Sequence, residues 1–210
     1  MYIEQILPVE SLPGDSEDYR LLHEGVRLSA NVDGFTCELG VRRGGGSGVI
    51  MRAIKQFCPN KIHIAVDPYG NIEYEHKEGD IIRLDYTNKM KTECLKNLYA
   101  YSDSIDVPVL FFNMEDTEFF KRYTDGVPVY DTVKRNVNKY SFVHFDAAHA
   151  IMPLIDEMKF FGGRTDKGAC WVFDDVTGYY DHDKIEASLF DVGFDLIEKT
   201  KRKALYQFKG

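Results

Sequence analysis

Residues Glu38 to Ser47 read ELGVRRGGGS, and this stretch decides which fold the sequence can form. The apolar run that leads into it, from Gly34 to Leu39, predicts a strand that ends in glycine. After it, from Ser47 to Phe57, apolar residues recur at helical spacing. The stretch therefore predicts a strand, a glycine-rich turn and a helix in succession.

Strand-like and helix-like stretches continue to alternate along the rest of the chain. Strands are predicted over residues 61–66, 107–112, 140–145 and 169–173, and helices over residues 18–31, 87–101, 119–123, 151–160 and 184–191. The last two strand-like runs, residues 194–198 and 204–208, enclose only a short polar turn and predict an antiparallel hairpin. The fold class is therefore α/β: a Rossmann-like, doubly wound, mostly parallel seven-stranded sheet with a C-terminal antiparallel hairpin.

The length of 210 residues fits a single domain. We assign residues 1–33 to an N-terminal extension with a first helix, and residues 34–210 to the core. Two polar segments, residues 71–86 and 124–139, show little periodicity and are predicted to be irregular. Irregular segments of this kind are where we expect substrate specificity to be built.

Charge and residue usage argue against several classes of function. The formal net charge of −8 disfavours a nucleic-acid partner, and no apolar stretch is long enough to span a membrane. Lys199 to Lys203 is expected to form a solvated hairpin turn. Residues 1–10 lack the features of a signal peptide and the four cysteines form no CxxC pair, so a reducing cytoplasm is expected.

The glycines of the turn do not follow the G-x-G-x-x-G spacing that cradles a pyrophosphate. A cofactor without phosphate, such as S-adenosylmethionine, needs only a close approach of the backbone, which glycine allows. The pattern Glu-x-Gly-x-x-x-Gly-x-Gly resembles the first motif of class I S-adenosylmethionine-dependent methyltransferases. That resemblance implies a cofactor site formed by Glu38, Gly40, Gly44, Gly46 and Ser47.

The resemblance extends to the ends of the next two strands. Asp67 closes the second strand, where the family has a carboxylate that accepts hydrogen bonds from the ribose hydroxyls. Met114 and Glu115 follow the third strand, where the family contacts adenine. Judged by residue type alone, Asp67 fits a turn before Pro68 equally well, and Met114 fits the core.

Three carboxylates follow the fourth and fifth predicted strands, namely Asp146, Asp174 and Asp175. Neighbouring parallel strands would bring them together, and a hard divalent cation such as Mg²⁺ or Ca²⁺ satisfies carboxylates that would otherwise repel. Without a metal, Asp174 and Asp175 would begin a solvated turn. Residues 143–149 (VHFDAAH) and 172–175 (VFDD) resemble metal-dependent O-methyltransferases of sugars and antibiotic glycans. This implies that all three aspartates bind Mg²⁺, and that Asp146 also serves cofactor binding and catalysis.

The sequence departs from that subgroup at one informative position. The subgroup often has Asp-Gly-Asp-His, whereas this chain has Asp146-Ala147-Ala148-His149, and Ala148 cannot take a proton. His149 is therefore the expected general base, with a capping or packing role as the alternative. His144, in the middle of a strand, is expected to be a satisfied core residue.

These observations predict an S-adenosylmethionine-dependent methyltransferase that acts on a hydroxyl of a small molecule or sugar with the help of Mg²⁺. Two alternatives stay open: an NAD(P)-dependent oxidoreductase on a similar sheet, and a non-catalytic binding module with the same fold. The expected partner is the small-molecule substrate, without nucleic acid or membrane. The sequence leaves open whether the chain forms a homo-oligomer.

Overall fold

The computed structural model describes residues 12, 14, 16–70, 73–77, 80–83, 86–130 and 132–210. Its elements, in chain order, are α1 (Arg20–Leu28), β1 (Phe35–Leu39), α2 (Gly45–Phe57), β2 (His63–Val66), β3 (Glu73–Lys77), β4 (Asp80–Arg83), α3 (Asn88–Ile105), β5 (Val109–Phe112), α4 (Asp116–Arg122), β6 (Val127–Tyr130), β7 (Lys134–Val137), β8 (Tyr140–Phe145), α5 (Ile151–Gly162), β9 (Cys170–Phe173), α6 (His182–Asp191), β10 (Phe194–Lys199) and β11 (Ala204–Phe208). None of these helices is both long and apolar enough to cross a lipid bilayer.

Seven strands form one sheet in the order β10-β11-β9-β8-β1-β2-β5. The five strands from β9 to β5 in that order run parallel, and β11 pairs antiparallel with both β9 and β10. The predicted parallel sheet with an antiparallel C-terminal hairpin is confirmed. The order reverses direction at β1, which lies between β2 and β8. In open α/β sheets, ligands bind at the carboxyl ends of the strands where the order reverses.

Both faces of the sheet are covered, as the alternation of strands and helices predicts. Side chains of β8 and β9 alternate between the two faces: Phe142 and Val172 pack with α1, α2 and α3, whereas Val143 and Trp171 pack with α4, α5 and α6. All four side chains are fully buried or nearly so. The strands are therefore apolar almost throughout, and polar side chains on them require a specific reason.

Two hairpins lie outside the main sheet, and the sequence prediction of irregular structure at these places was wrong. The backbones of β3 and β4 pair antiparallel within residues 71–86, and those of β6 and β7 pair within residues 124–139. Within β6 and β7, all of whose residues the structure describes, only Val127 and Val129 are buried, both on β6, while β7 is largely exposed. β7 therefore lacks the apolar alternation by which a strand is recognised, and without it the hairpin is not predicted.

Helix α1 lies so close to the sheet that Gly25 has no room for a side chain. A Cβ at Gly25 would lie 2.5 Å from Cε2 of Phe142 and 3.1 Å from Cδ1 of Leu205. Both of those side chains are fully buried. The close approach brings α1, together with Ser16 before it, over the same half of the sheet that ends in the predicted acidic cluster.

We predict that Gly25→Ala destabilises the protein by about 1–3 kcal/mol, because the added methyl overpacks the contact with the sheet. Gly162→Ala is the matched control, since it also lies in a helix but has no atom within 4 Å of its added Cβ. The control should stabilise by up to about 1 kcal/mol through helix propensity. Urea unfolding followed by circular dichroism measures both, and equal shifts of the two midpoints would contradict the packing described here.

Candidate active site

The glycine-rich turn after β1 meets the end of β8 where the sheet order reverses. Gly40 donates its backbone N–H to Val66 of β2 (3.0 Å), and Asp146 donates its own to Leu39 of β1 (3.0 Å). Gly40 has φ 81°, and a Cβ there would lie 2.3 Å from the carbonyl oxygen of Asp146. Only glycine fits this position, because both the backbone conformation and the contact exclude a side chain.

Glu38, the last polar residue of β1, is buried beneath this turn with 2% exposure. Its Oε2 accepts a hydrogen bond from Ser47 in the first turn of α2, and its Oε1 pairs with Nδ1 of His144 at 2.9 Å. A Cβ at Gly46 would lie 1.9 Å from Oε1 of Glu38. Glu38 therefore holds the start of α2 against the sheet and requires glycine at position 46.

A chain of buried polar groups continues on the other side of Ser47. His63 Nε2 lies 3.0 Å from Ser47 Oγ, and His63 Nδ1 lies 2.9 Å from Thr36 Oγ1. Burial, followed by the influence of His144, lowers the pKa of His63 to about 3, so this imidazole is neutral. With Ser47 donating to Glu38, the neutral ring donates from Nε2 to Ser47 and accepts from Thr36. The hydrogen bonds thus all run in one direction, from Thr36 through His63 and Ser47 to the carboxylate of Glu38.

Asp67, at the end of β2, is fully buried and holds the turn from the other side. Its Oδ2 accepts hydrogen bonds from the backbone N–H groups of Val41 and Arg42, each at 2.8 Å. Gly44 follows with φ 88° and begins α2. The structure therefore brings the sequence-predicted residues Glu38, Gly40, Gly44, Gly46, Ser47 and Asp67 together around one turn.

The two residues predicted to contact adenine lie after β5. Met114 is partly buried and packs against the core on the α4 side of the sheet, as its alternative interpretation expects. Glu115 is exposed and precedes the first residue of α4. The side chain of Asn113 next to them donates to the carbonyl oxygen of Asp67 at 3.1 Å, which ties this segment to the end of β2.

The carboxyl ends of β8 and β9 bring His144, Asp146 and Asp174 together, with one possible ligand atom of each within 4.8 Å of the others. His144 is fully buried. Burial, and then the neighbouring Asp174 carboxylate, raises the pKa of Asp146 well above its usual range. A divalent cation at this place would relieve the repulsion between the two carboxylates.

Asp174 already faces a buried ammonium group. Lys203 Nζ is in contact with Asp174 Oδ2 and lies 2.7 Å from Ser16 Oγ, which itself donates to Asp174 at 2.6 Å. Lys203 is fully buried, so the prediction of a solvated turn was wrong for this residue. Burial alone would raise the pKa of Asp174, but the ammonium of Lys203 and the hydrogen bonds from Lys203 and Ser16 outweigh it and the pKa is lowered.

Asp175 has different partners from Asp174. Its Oδ1 lies 2.6 Å from Nη2 of Arg202, and its Oδ2 lies 3.2 Å from Nε2 of His149. The imidazole of His149 also lies against Tyr179, with ring centroids 5.2 Å apart. The structure thus places the expected base next to a carboxylate, while Asp175 is not part of the group formed by His144, Asp146 and Asp174.

Sequence reasoning overlooked three buried ionisable residues. His144 was expected to be a satisfied core residue, yet Glu38 and His144 are register partners on adjacent strands. Each lies two residues before a predicted site residue, Gly40 or Asp146, and residues two apart on a strand share a face of the sheet. This spacing was a usable signal. Lys203 and Glu157 had none, because Lys203 is buried by contacts with distant residues such as Ser16, and Glu157 lies on the buried side of α5. Burial, followed by Asp116, raises the pKa of Glu157 well above its usual range.

Several solved methyltransferases share this fold at low sequence identity. The O-methyltransferase NovP is 17% identical, with 100% of this chain and 89% of NovP covered and a TM-score of 0.60. TomG from Streptomyces achromogenes, which takes part in tomaymycin synthesis and was solved with S-adenosylmethionine, is 13% identical (99% and 89% covered, TM-score 0.58). CalS11, a TDP-rhamnose 3'-O-methyltransferase of calicheamicin biosynthesis, is 12% identical (92% and 79% covered, TM-score 0.58).

No family model and no curated protein matches the sequence. The structural likeness covers nearly the whole chain, and it establishes that the chain has the fold of these methyltransferases. At such low identity the likeness concerns the fold, and function has to be argued from the site itself.

We predict that Lys203→Met destabilises the protein by about 3–5 kcal/mol, because it leaves a buried carboxylate without its ammonium partner. Lys201→Met is the matched control: Lys201 is exposed, and a change there should stay within about 0.5 kcal/mol. Urea unfolding in the presence of a chelator measures both variants. A loss for Lys203→Met no larger than that of the control would show that the buried pair contributes nothing.

Proposed function

We propose that this protein is an S-adenosylmethionine-dependent O-methyltransferase that acts on a hydroxyl of a small molecule or sugar. The observation that carries the proposal is the contact between Gly40 and Asp146, which places the glycine turn against the acidic strand ends where the sheet order reverses. Ligands of open α/β sheets bind in that crevice. The glycine spacing does not suit a pyrophosphate, which favours a nucleoside cofactor without phosphate.

Each part of the turn has a role in the proposed cofactor site. Gly40 and Gly44 allow the backbone to approach the methionine part of the cofactor. The carboxylate of Asp67 accepts hydrogen bonds from the ribose hydroxyls. Met114 and Glu115 lie beside the adenine. Glu38, Gly46 and Ser47 lie beneath the turn and hold its backbone in place through their contacts with one another.

The proposed reaction transfers the sulfonium methyl in line to the substrate oxygen. The new C–O bond forms as the C–S bond breaks, its electron pair returns to sulfur, and S-adenosylhomocysteine leaves. His149 takes the hydroxyl proton: its Nε2 lies 3.2 Å from the Asp175 carboxylate, so Nδ1 is the nitrogen proposed to accept it. Asp175 orients the ring and stabilises the imidazolium, much as a carboxylate does in a catalytic triad.

A divalent cation is part of the proposal. Asp146 and Asp174 would hold it, and when bound it would lower the pKa of the substrate hydroxyl. The donor set fits a cation, because two carboxylates and a buried imidazole nitrogen lie within 4.8 Å of one another. Asp175 as a further metal ligand stays a prediction. CalS11, which has this fold and whose substrate is a nucleotide sugar, supports a sugar hydroxyl as the acceptor class.

Radiolabelled methyl transfer from S-adenosylmethionine to a panel of sugar and phenolic hydroxyls tests this function. We expect transfer to at least one acceptor, and His149→Gln should reduce kcat by about 10²–10⁴-fold because general-base catalysis is lost. His23→Gln is the matched control, since His23 pairs with Gln56 on the surface and should leave kcat unchanged. Absence of transfer to every acceptor, or full activity of His149→Gln, would contradict the proposal.

A further inference from the structure

We infer that His144 is a metal ligand, and that the cation of the proposed function is held by one nitrogen and carboxylate oxygens instead of by three aspartates. The inference rests on the metal-assisted reaction proposed above and concerns the ligands and the kind of metal. The candidate ligand atoms are one carboxylate oxygen each of Asp146 and Asp174 and one ring nitrogen of His144, which we take to be Nε2 because Nδ1 is bonded to Glu38.

The strongest evidence is the Nε2 atom of His144 itself. The side chain is fully buried, and this nitrogen has no hydrogen-bond partner among the residues that the structure describes. A buried polar atom without a partner costs about 1–3 kcal/mol, so native proteins rarely leave one. One ring nitrogen of His144 lies within 4.8 Å of the two carboxylates, and because Nδ1 is bonded to Glu38, a cation between them would satisfy Nε2.

The hydrogen bond on the opposite side of the ring sets the tautomer. Glu38 Oε1 lies 2.9 Å from Nδ1 of His144, and Ser47 donates to the other oxygen of the same carboxylate. An ionised Glu38 accepts, so the proton sits on Nδ1 and Nε2 keeps its lone pair. A carboxylate behind a histidine in this way is the usual arrangement around metal-binding imidazoles, where it fixes the ring and raises its basicity.

The formal charges around the group also match a divalent cation. With all three carboxylates ionised, Glu38, Asp146 and Asp174 would carry three negative charges, against one positive charge on Lys203 in contact with Asp174. Two negative charges would then lack a counter-charge in buried or partly buried surroundings, and a divalent cation would supply it. Asp175 adds none to this count, because Arg202 lies 2.6 Å from it.

The nitrogen donor changes which metal the site prefers. Oxygen-only sites suit Mg²⁺ and Ca²⁺, whereas an imidazole favours first-row transition metals, whose affinities rise from Mn²⁺ towards Co²⁺ and beyond. The structure thus assigns to this site a transition metal of the Mn²⁺ or Co²⁺ kind, bound more tightly than Mg²⁺.

Titration of the chelator-treated, full-length protein with Mn²⁺, followed by electron paramagnetic resonance, tests the inference without any substrate. We expect one Mn²⁺ per chain, and pulsed spectra of the bound ion should show coupling to one ¹⁴N nucleus. Mg²⁺ should displace it poorly. This measurement on the wild-type protein needs no variant to fold.

The variant His144→Asn tests the roles of the two ring nitrogens separately. Its side chain can still donate to Glu38, as Nδ1 does, but offers no lone pair in place of Nε2. It should lose the ¹⁴N coupling and weaken Mn²⁺ binding at least about tenfold, the minimum seen even when an outer-shell partner of a ligand is lost. His182→Asn is the matched control, because His182 is also buried, with one ring nitrogen hydrogen-bonded to Tyr206 (2.8 Å) and the other without a partner among the described residues, but it lies outside the group formed with Asp146 and Asp174. Its Mn²⁺ affinity and coupling should match the wild type.

The outcomes distinguish this inference from the proposed function. Mn²⁺ bound without ¹⁴N coupling would overturn the role of His144 while leaving a metal-assisted methyltransferase intact. Methyl transfer that proceeds with no Mn²⁺ or Mg²⁺ binding at all would overturn both the ligand assignment and the metal. Nitrogen-coupled Mn²⁺ that His144→Asn abolishes, in a protein that methylates nothing, would support the site and overturn the function.

Discussion

The buried carboxylate of Glu38 constrains the whole carboxyl edge of the sheet, because an ionised group removed from water must be hydrogen-bonded on both oxygens. Ser47 supplies one bond from the first turn of α2, and His144 supplies the other from β8. The carboxylate also excludes any side chain at position 46. One residue of β1 thereby sets where α2 begins, why a glycine stands in its first turn, and which nitrogen of His144 carries the proton.

The edge next to Glu38 is organised by pairing each carboxylate with a different partner. Asp174 faces Lys203 and Ser16 under the cover of α1, whereas Asp175 faces Arg202 and His149. The side chains of these two adjacent aspartates thus have different partners. The positive φ of Asp175 (54°) lets the backbone direct the two side chains apart. Asp146 completes the first group, and burial together with the neighbouring Asp174 carboxylate raises its pKa.

The fold was predictable because its signals are local. The parallel strands are largely apolar runs, of which β1, β2, β8 and β9 stop at a glycine or an acid, and the C-terminal hairpin has only a polar turn between its strands. The hairpin formed by β6 and β7 was missed because β7 is largely exposed and has no apolar alternation. The pairing of Glu38 with His144 depends on the register of strands that lie 106 residues apart in sequence. The burial of Lys203 depends on Ser16 and α1, which no spacing within the hairpin reveals.

The central claim is that this edge of the sheet binds S-adenosylmethionine, and isothermal titration of the wild-type protein tests it most directly. We predict that S-adenosylhomocysteine binds with one molecule per chain and that NADH gives no heat of binding under the same conditions, because the turn lacks the glycine spacing for a pyrophosphate. Saturable binding of NADH without any response to S-adenosylhomocysteine would contradict the account and favour an oxidoreductase on the same sheet.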